Sequence, residues 1–329
     1  MYILKSESTD PYFNIALEEY LLSNYKEDFF IVAVNEPSII VGVNQNTNDT
    51  INALYVKVNK LKVVRRLSGG SAVFQDEGNL DFSNIYTDSS ATLIDFTRIT
   101  ELIIEFLKTK FNIEANASGR NNILIDGKKI SGQARARFGE KILNHGTLLL
   151  SSNKKSLVDA LKFNEEKYKD QKLKSNLERI TNINEHIEGS ITMDKFIDLF
   201  LNFIQSKFPQ AQRFNLSHDD INAVNELVNL KYSNWDWNYG NIPEYNINTS
   251  LNTVDGFVSM YLNVVEDKIK NIKIYGDFFS QLNISDLENV LVGVKYEKSE
   301  IEKALANLDF NCYMKGIDKQ DFISHLFKN

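Results

Sequence analysis

The sequence predicts an α/β protein in which short buried strands alternate with amphipathic helices. Two apolar runs, residues 29–34 and 39–43, are separated by a turn-forming stretch and are typical of buried strands. Before them, Asp10-Pro11 predicts the start of a helix, because Asp is a favourable N-cap and Pro fits the first helical position. The chain has 329 residues, which exceeds the usual size of one domain, so we expect two domains.

Further elements follow along the chain. Leu80 and Phe82 alternate with polar residues as in a strand, and helical spacing of apolar residues occurs over residues 96–111, 193–208 and 220–228. Asp126-Gly127 lies between apolar runs and is typical of a type I′ hairpin turn. Beyond residue 243, where we place the domain boundary, the pattern predicts strands at 258–264 and 273–277 and helices at 285–292 and 299–308.

The composition excludes several classes of protein. Hydrophobic residues make up 43% and charged residues 25%, as in an ordinary globular protein. No apolar run is long enough to cross a bilayer, and the N-terminus lacks a signal-peptide layout, so we expect a cytoplasmic protein with no membrane partner. The net charge of −7 argues against nucleic acid as the main partner. A single cysteine, Cys312, excludes an internal disulfide framework and a clustered cysteine metal site.

A glycine loop, residues 68–71, lies between two apolar runs. Adjacent Gly69 and Gly70 allow positive φ and a close approach of the backbone to a ligand. The loop could therefore offer N–H groups to an anion, with Arg65 or Arg66 supplying positive charge. A Gly-Gly pair between strands is more often a tight turn, so the loop alone leaves both interpretations open.

The hairpin and the strand after it carry further candidates. Lys128 and Lys129 follow the hairpin turn, and strand alternation places them on opposite faces. His145 begins a conspicuous segment, but no other histidine or cysteine lies at metal-ligand spacing, so we assign it no catalytic role. Glu18 and Glu19 on the first helix are interpreted as a solvated face or as support for the site.

Three segments in this order resemble the signature of the lipoate–protein ligase A family. They are R-R-L-S-G-G-S-A-V at 65–73, the block at 119–134 that contains D-G-K-K-I-S-G, and N-H-G-T-L-L at 144–149. The segments D-P-Y-F-N-I-A-L-E-E-Y, N-Q-N-T and K-Y-S-N-W-D-W-N-Y-G also match, so the resemblance covers nearly the whole chain. It implies a mixed, largely antiparallel sheet with flanking helices of the biotin and lipoate ligase type. It further implies a catalytic domain at 1–243 and a small α+β accessory domain at 244–329.

The resemblance implies an ATP-dependent ligase that activates lipoate or octanoate as an acyl-adenylate. The acyl group would then pass to a lysine of a carrier, such as the glycine cleavage H protein or the acyltransferase (E2) subunits of 2-oxoacid dehydrogenases. Both steps gather negative charge at the α-phosphate and the carbonyl oxygen, so fixed donors and cations are the main requirement. ATP, Mg²⁺ and lipoate are the implied ligands, and a loop at 167–174 is implied to cover the adenylate.

The resemblance also implies the site residues. Lys129 would be the catalytic residue, a point charge between the carboxyl oxygen and the α-phosphate, whereas Lys128 would lie on the surface. The residues expected to bind ATP or the adenylate are Arg66, in two-pronged geometry, with Ser71, Ala72, Val73, Phe74, Asn79, Asn122 and Lys129. The residues expected to bind lipoate are Ser68, Gly69, Gly70 and Lys129, and Val73 and Phe74 are expected to line an apolar slot for its tail.

The chain departs from the family pattern inside the motifs. Ser71 stands at a usual glycine, Gln75 and Asn144 at usual histidines, Asp81 at a usual asparagine and Asn122 at a usual aspartate. We expect Asp81 and Asn122 to lie close together, so that Asp81 restores the missing charge near the phosphates or as a metal ligand. Neutral drift in a paralogue with altered activity is the alternative.

Two other functions remain open at this point. The first is an acyltransferase that moves octanoyl or lipoyl groups between carriers, but a cysteine relay needs a thiol in the catalytic domain, and Cys312 lies outside it, where we expect a core residue. The second is a non-catalytic paralogue that binds lipoyl domains or lipoate. The departures favour that interpretation, whereas the intact Arg66, Gly69, Gly70 and Lys129 argue against it.

Overall fold

The computed structural model describes residues 1–88, 96–119, 121–162, 179–240, 244–253 and 256–328. The strands are β1 Tyr2–Lys5, β2 Phe29–Ala33, β3 Ser38–Val41, β4 Lys62–Arg65, β5 Val73–Gln75, β6 Asn79–Thr87, β7 Ala115–Ser118, β8 Asn122–Ile125, β9 Lys128–Phe138, β10 Lys141–Leu149, β11 Gln212–Arg213, β12 Ile247–Thr253, β13 Gly256–Val265 and β14 Lys268–Gly276. The helices are α1 Pro11–Asn24, α2 Thr47–Thr50, α3 Ala53–Asn59, α4 Thr97–Phe111, α5 Lys154–Ala160, α6 Met193–Lys207, α7 His218–Leu227, α8 Trp235–Asn238, α9 Ile284–Leu291, α10 Lys298–Ala304, α11 Phe310–Tyr313 and α12 Lys319–His325. The loop expected at 167–174 lies outside the described residues.

A large mixed sheet forms the centre of the fold. Within the described residues it has eight strands, in the order β11-β1-β2-β6-β10-β9-β8-β7. Strand β1 is parallel to β2 and β11, and all other pairs are antiparallel. The predicted mixed, largely antiparallel sheet is therefore confirmed.

The two faces of this sheet are covered differently. On one face, Phe82 and other apolar side chains pack against α4 and α6 through an aromatic cluster around Phe106 and Phe200. On the opposite face, Ile31 and Ile85 pack with Leu17 and Leu21 of α1. Asp10 caps α1 as expected, accepting a hydrogen bond from the Tyr12 N–H at 2.9 Å.

A small sheet lies beside α1 and carries the glycine loop. Strand β3 is parallel to β4 and antiparallel to β5, so β3 is central. Ile40 and Val64 join the core next to α1, whereas Ile39 and Phe74 point to the other side, in the core that includes residues of α3 and α5. The loop between β4 and β5 therefore emerges at the edge of a layered core.

The C-terminal part has its own core. Strands β12, β13 and β14 form an antiparallel sheet whose Met260 and Ile274 pack with Leu287 and Phe322 of the helices α9 and α12. The sequence patterns did not predict β12, α11 or α12, and the predicted 299–308 helix ends earlier, at Ala304. Among the described residues, no helix combines the length and apolar character needed to cross a membrane.

Candidate active site

A cavity of about 290 Å³ lies between the large sheet, α1 and the glycine loop. It brings together residues from motifs that are far apart in the chain. Of the residues predicted for the site, those that line it are Arg66, Gly70, Ser71, Ala72, Val73, Asp81, Asn122 and Lys129. Apolar side chains, including Ile31, Ala33 and Ile40, form another part of its wall. The cavity thus joins a cationic region to an apolar one.

Lys129 reaches the cavity because of the hairpin that precedes it. Asp126 and Gly127 both have positive φ, 49° and 74°, as the predicted type I′ turn requires. Lys128 is exposed and Lys129 lines the cavity, so the predicted alternation is confirmed. The backbone of Lys129 is held by hydrogen bonds to Arg179 and Thr181, at 2.7 and 3.0 Å. Burial, and then the charge of Arg66, lower the pKa of Lys129 to about 8.

Arg66 holds the glycine loop by hydrogen bonds to its backbone carbonyl groups. Its Nη2 group donates to the carbonyl oxygens of Gly69 and Ser71, at 2.6 and 3.0 Å. Its Nη1 group donates to the Ile40 carbonyl and its Nε group to the Ser68 hydroxyl. These contacts use four of the five N–H groups of a guanidinium, so the expected two-pronged grip on a phosphate is not available in this arrangement. Burial lowers the pKa of Arg66 to about 10.

Arg65 points the other way and organises a different loop. Its guanidinium donates to the carbonyl oxygens of Gly42, Val43, Gln45, Trp237 and Asn238 and to the Thr47 hydroxyl. The N-Q-N-T segment therefore supplies hydrogen-bond acceptors to a buried arginine. Its residues do not line the cavity. Arg65 thereby joins that segment to the W-D-W-N segment, through the Trp237 and Asn238 carbonyl oxygens.

Glu18 and His145, to which the sequence analysis assigned no catalytic role, both line the cavity. Both are buried, and the Nδ1 atom of His145 lies 2.9 Å from a Glu18 carboxylate oxygen. The Nε2 atom of His145 lies 2.5 Å from the hydroxyl oxygen of Ser68. Glu19, by contrast, accepts hydrogen bonds from Lys231 and Tyr232. The position of Glu18 in α1 could have indicated its burial. It follows Leu17, which belongs to the apolar face of the helix, and it lies one turn after the buried Asn14.

Asp81 is the centre of an amide cluster. Its carboxylate accepts hydrogen bonds from the side-chain amides of Asn35, Gln75 and Asn79, at 2.6, 2.5 and 3.0 Å. Burial, and then the negative charge of Glu18, raise the pKa of Asp81 well above its ordinary value. Two departures from the family pattern, Gln75 and Asp81, are therefore hydrogen-bonded partners.

The expected proximity of Asp81 and Asn122 is wrong. Strands β10 and β9 lie between the strands that carry them, and three strand spacings correspond to about 14 Å. That distance exceeds the combined reach of the two side chains. Because three amides already occupy the oxygens of Asp81, this carboxylate is a poor candidate for the predicted metal ligand.

Four predicted residues do not line the cavity. The Phe74 side chain lies in the core with Ile39, so it does not form the apolar slot. Asn79 is fully buried and donates a hydrogen bond to Asp81. Ser68 is fully buried, and the α-carbon of Gly69 abuts the C-terminal part, where an added β-carbon would come within 2.4 Å of the Phe278 carbonyl oxygen. Any contact of these residues with a ligand would need the backbone.

The C-terminal part contributes to the cavity, which no motif indicated. Asp277 and Phe279 line it, and the Ser71 hydroxyl donates to Asp277 at 3.0 Å. The Gly276 N–H donates to the Asn44 carbonyl at 2.7 Å, which ties the end of β14 to the N-Q-N-T segment.

Cys312 is partly exposed, in contrast to the expected core position, and does not line the cavity.

Two family models match the chain. The lipoyl protein ligase A/B catalytic domain matches residues 10–205, and the bacterial lipoate protein ligase C-terminus matches residues 242–326. The chain belongs to the lipoate–protein ligase family. It is 37% identical to lipoate-protein ligase LplJ of Bacillus subtilis, over 99% of this chain and 100% of that protein. It is also 37% identical to lipoate–protein ligase 1 of Staphylococcus aureus, over 98% of both chains. The protein is thus an enzyme, a lipoate–protein ligase, as the motifs implied.

Solved structures agree with this assignment. The ligase superimposes on P. falciparum LipL1 in complex with lipoate with a TM-score of 0.79, 25% identity and coverage of 98% and 97% of the two chains. It shares the fold of a lipoate-protein ligase A bound with ATP, with a TM-score of 0.62, 21% identity and coverage of 73% and 98%.

Proposed function

We propose that this ligase activates lipoate or octanoate with ATP and transfers the acyl group to a lysine of a carrier domain. The observation that carries the proposal is the cavity in which Lys129 and the glycine loop meet an apolar wall. A fatty acid fits this division, because its carboxylate suits the cationic region and its tail suits Ile31, Ala33 and Ile40.

In the first step, a carboxylate oxygen of the acid attacks the α-phosphorus of ATP, and pyrophosphate leaves. In the second step, the amine of the carrier lysine attacks the acyl carbon, loses a proton, and AMP leaves. Lys129 is proposed to offset negative charge at the α-phosphate and at the carbonyl oxygen in both steps. Its lowered pKa, about 8, still leaves much of the ammonium form at neutral pH.

The glycine loop is proposed to hold the adenylate through its backbone. Arg66 binds the carbonyl oxygens of Gly69 and Ser71. In a trans peptide the N–H points opposite to the C=O, so the N–H groups of Gly70 and Ala72 face away from Arg66. They are therefore suited to an anion, with Val73 and Asn122 as further proposed contacts. Arg66 acts in this proposal by shaping the loop.

Mg²⁺ is proposed to enter with the phosphates of ATP. In nucleotide sites Mg²⁺ commonly uses one or two carboxylates together with phosphate oxygens and water. Among the described residues, no group of three His, Cys, Asp or Glu side chains could form a protein cage for a metal. The residues therefore fit a metal held mainly by the nucleotide.

The acceptor is proposed to be a lipoyl carrier domain, either the H protein or an E2 subunit. Support comes from a solved structure of similar fold, that of a bipartite archaeal lipoate protein ligase and its E2 lipoyl domain, with a TM-score of 0.63. Residues 1–243 are proposed as the catalytic domain and 244–329 as the accessory domain. The cytoplasm is proposed as the place of action.

The test is lipoate-dependent exchange of labelled pyrophosphate into ATP. We expect exchange in the wild type, its loss in Lys129→Ala, and its retention in the matched control Lys128→Ala, which removes an exposed lysine one position away. Absence of exchange in the wild type with Mg²⁺ and lipoate present would reject adenylate formation. Transfer of octanoyl groups between carriers without ATP would then favour the acyltransferase, and binding without any transfer would favour the non-catalytic paralogue.

A further inference from the structure

Four buried side chains form a continuous hydrogen-bonded chain beside the cavity. Glu18 of α1 contacts Nδ1 of His145 on β10, at 2.9 Å. Nε2 of His145 contacts the hydroxyl of Ser68 in the glycine loop, at 2.5 Å. The same hydroxyl oxygen lies 3.0 Å from Nε of Arg66. None of the four residues exposes more than 7% of its surface.

With a single proton on the His145 ring, the chemistry of these groups fixes the direction of each hydrogen bond. A carboxylate only accepts, so His145 carries its proton on Nδ1 and donates it to Glu18. Nε2 then accepts the hydroxyl proton of Ser68. The Ser68 oxygen in turn accepts from Arg66, because a guanidinium only donates. The order of the chain is therefore Arg66 to Ser68 to His145 to Glu18, with positive charge at one end and negative charge at the other.

We infer that His145 is a positioning residue that sets the orientation of Arg66, and through it the glycine loop, by way of Ser68. Arg66 is the residue that turns the Gly69 and Ser71 carbonyls inward, so its plane determines where the Gly70 and Ala72 N–H groups point. The hydrogen bond from Nε of Arg66 to the Ser68 hydroxyl fixes the guanidinium plane at a second point. This inference rests on the proposed function, since it assigns the loop to the nucleotide.

The arrangement of Ser68, His145 and Glu18 has the order of a hydrolase triad, but it does not fit a nucleophile. Ser68 is fully buried and does not line the cavity. Its oxygen is enclosed between His145 and Arg66, whereas a triad serine must reach the acyl carbon of its substrate. Positioning is therefore the role that this geometry supports.

Glu18 is itself held in place. Its carboxylate accepts a hydrogen bond from Ser83 of β6, at 2.5 Å, in addition to the contact with His145. The chain is thus anchored in the central sheet at one end and attached to the loop at the other. A loop anchored in this way keeps its donors oriented before the ligand arrives, which is how preorganised sites stabilise developing charge.

The first experiment compares Ser68→Ala with the wild type. We expect a KM for ATP that is raised about tenfold, the value for one hydrogen bond to a charged group, with a smaller change in the KM for lipoate. The matched control is Ser152→Ala, which removes another buried serine hydroxyl, outside the cavity and the network. Adding His145→Gln to Ser68→Ala should cause little further loss, because both variants break the same chain. Additive effects of the two substitutions, or an unchanged KM for ATP in folded Ser68→Ala, would overturn the inference.

A second measurement needs no variant. The ¹⁵N NMR signals of the His145 ring in the full-length protein should show a protonated Nδ1 and an unprotonated Nε2. The reverse tautomer, or a ring with protons on both nitrogens, would contradict the proposed direction of the chain. Direct ATP binding by calorimetry separates the proposed function from the positioning role. A wild type that binds ATP but shows no exchange rejects the proposed function. The effect of Ser68→Ala on ATP affinity then still tests the positioning role.

Discussion

The side-chain amine of Lys129 occupies the space that a β-carbon at position 132 would need. An added β-carbon at Gly132 would lie 2.8 Å from the Lys129 nitrogen and 3.0 Å from its Cε atom. The amine of Lys129 therefore packs directly against the backbone of Gly132, close to the Asn122 side chain. Gly132 belongs to the family motif, and its role here is to leave room for the lysine.

Gly132→Ala should therefore impair catalysis more than folding. The added methyl group would displace the end of a flexible side chain, so we expect a small change in the free energy of unfolding. Misplacement of a reacting group by about 1 Å can reduce the rate about 100-fold, and we expect a loss of that order in pyrophosphate exchange. The double variant Lys129→Ala/Gly132→Ala should be no worse than Lys129→Ala alone. Full exchange by Gly132→Ala would refute this explanation.

The pH dependence of exchange should report the charge of Lys129. Its pKa is lowered to about 8 by burial and by Arg66, so the ammonium form is lost as the pH rises through that value. We expect kcat/KM to fall across this range in the wild type. Lys129→Arg stays charged there, and its lower activity should be flat over the same range. An alkaline limb that is the same in both proteins would assign it to another group.

Asp81 should impose a pH dependence on stability. Its folded pKa is raised, so between its ordinary value and the raised value the folded state binds more protons than the unfolded state. The contribution of Asp81 to stability is therefore most favourable below its ordinary pKa and declines as the pH rises through the raised pKa. Asp81→Asn should remove this decline. Urea unfolding from about pH 4.5 to about pH 7, which avoids the titration of Lys129, measures the difference between the two slopes. Parallel slopes would show that Asp81 ionises normally.

Ser71→Gly should be nearly neutral for catalysis. The Ser71 hydroxyl is directed to Asp277 of the C-terminal part, so it contributes a contact between the two parts of the chain. Since Ser71 is exposed, we expect the free energy of unfolding to change by about 0.5 kcal/mol and exchange by about twofold. A tenfold change in kcat would instead assign the hydroxyl a direct role in the reaction.

Local sequence signals predicted the start of α1 and the hairpin that places Lys129. Asp10 caps a helix through its own neighbour Tyr12, and Asp126-Gly127 forms its turn within four residues. The alternation of Lys128 and Lys129 follows from strand geometry alone. The family motifs then indicated which loops belong to one site. These properties depend on residues close together in the chain or on a familiar order of motifs.

Only the tertiary structure decided which polar side chains pair with one another. His145 and Glu18 are 127 positions apart, and Ser71 and Asp277 are 206 positions apart. Their pairing depends on which strands are neighbours and in which register, which no local pattern specifies. For the same reason Asp81 meets Asn35 and Gln75 and does not meet Asn122. The sequence by itself determined the longer helices, the hairpin turn and the family. The folded structure determined which side chains share a hydrogen bond, because those contacts join segments that are distant in the chain.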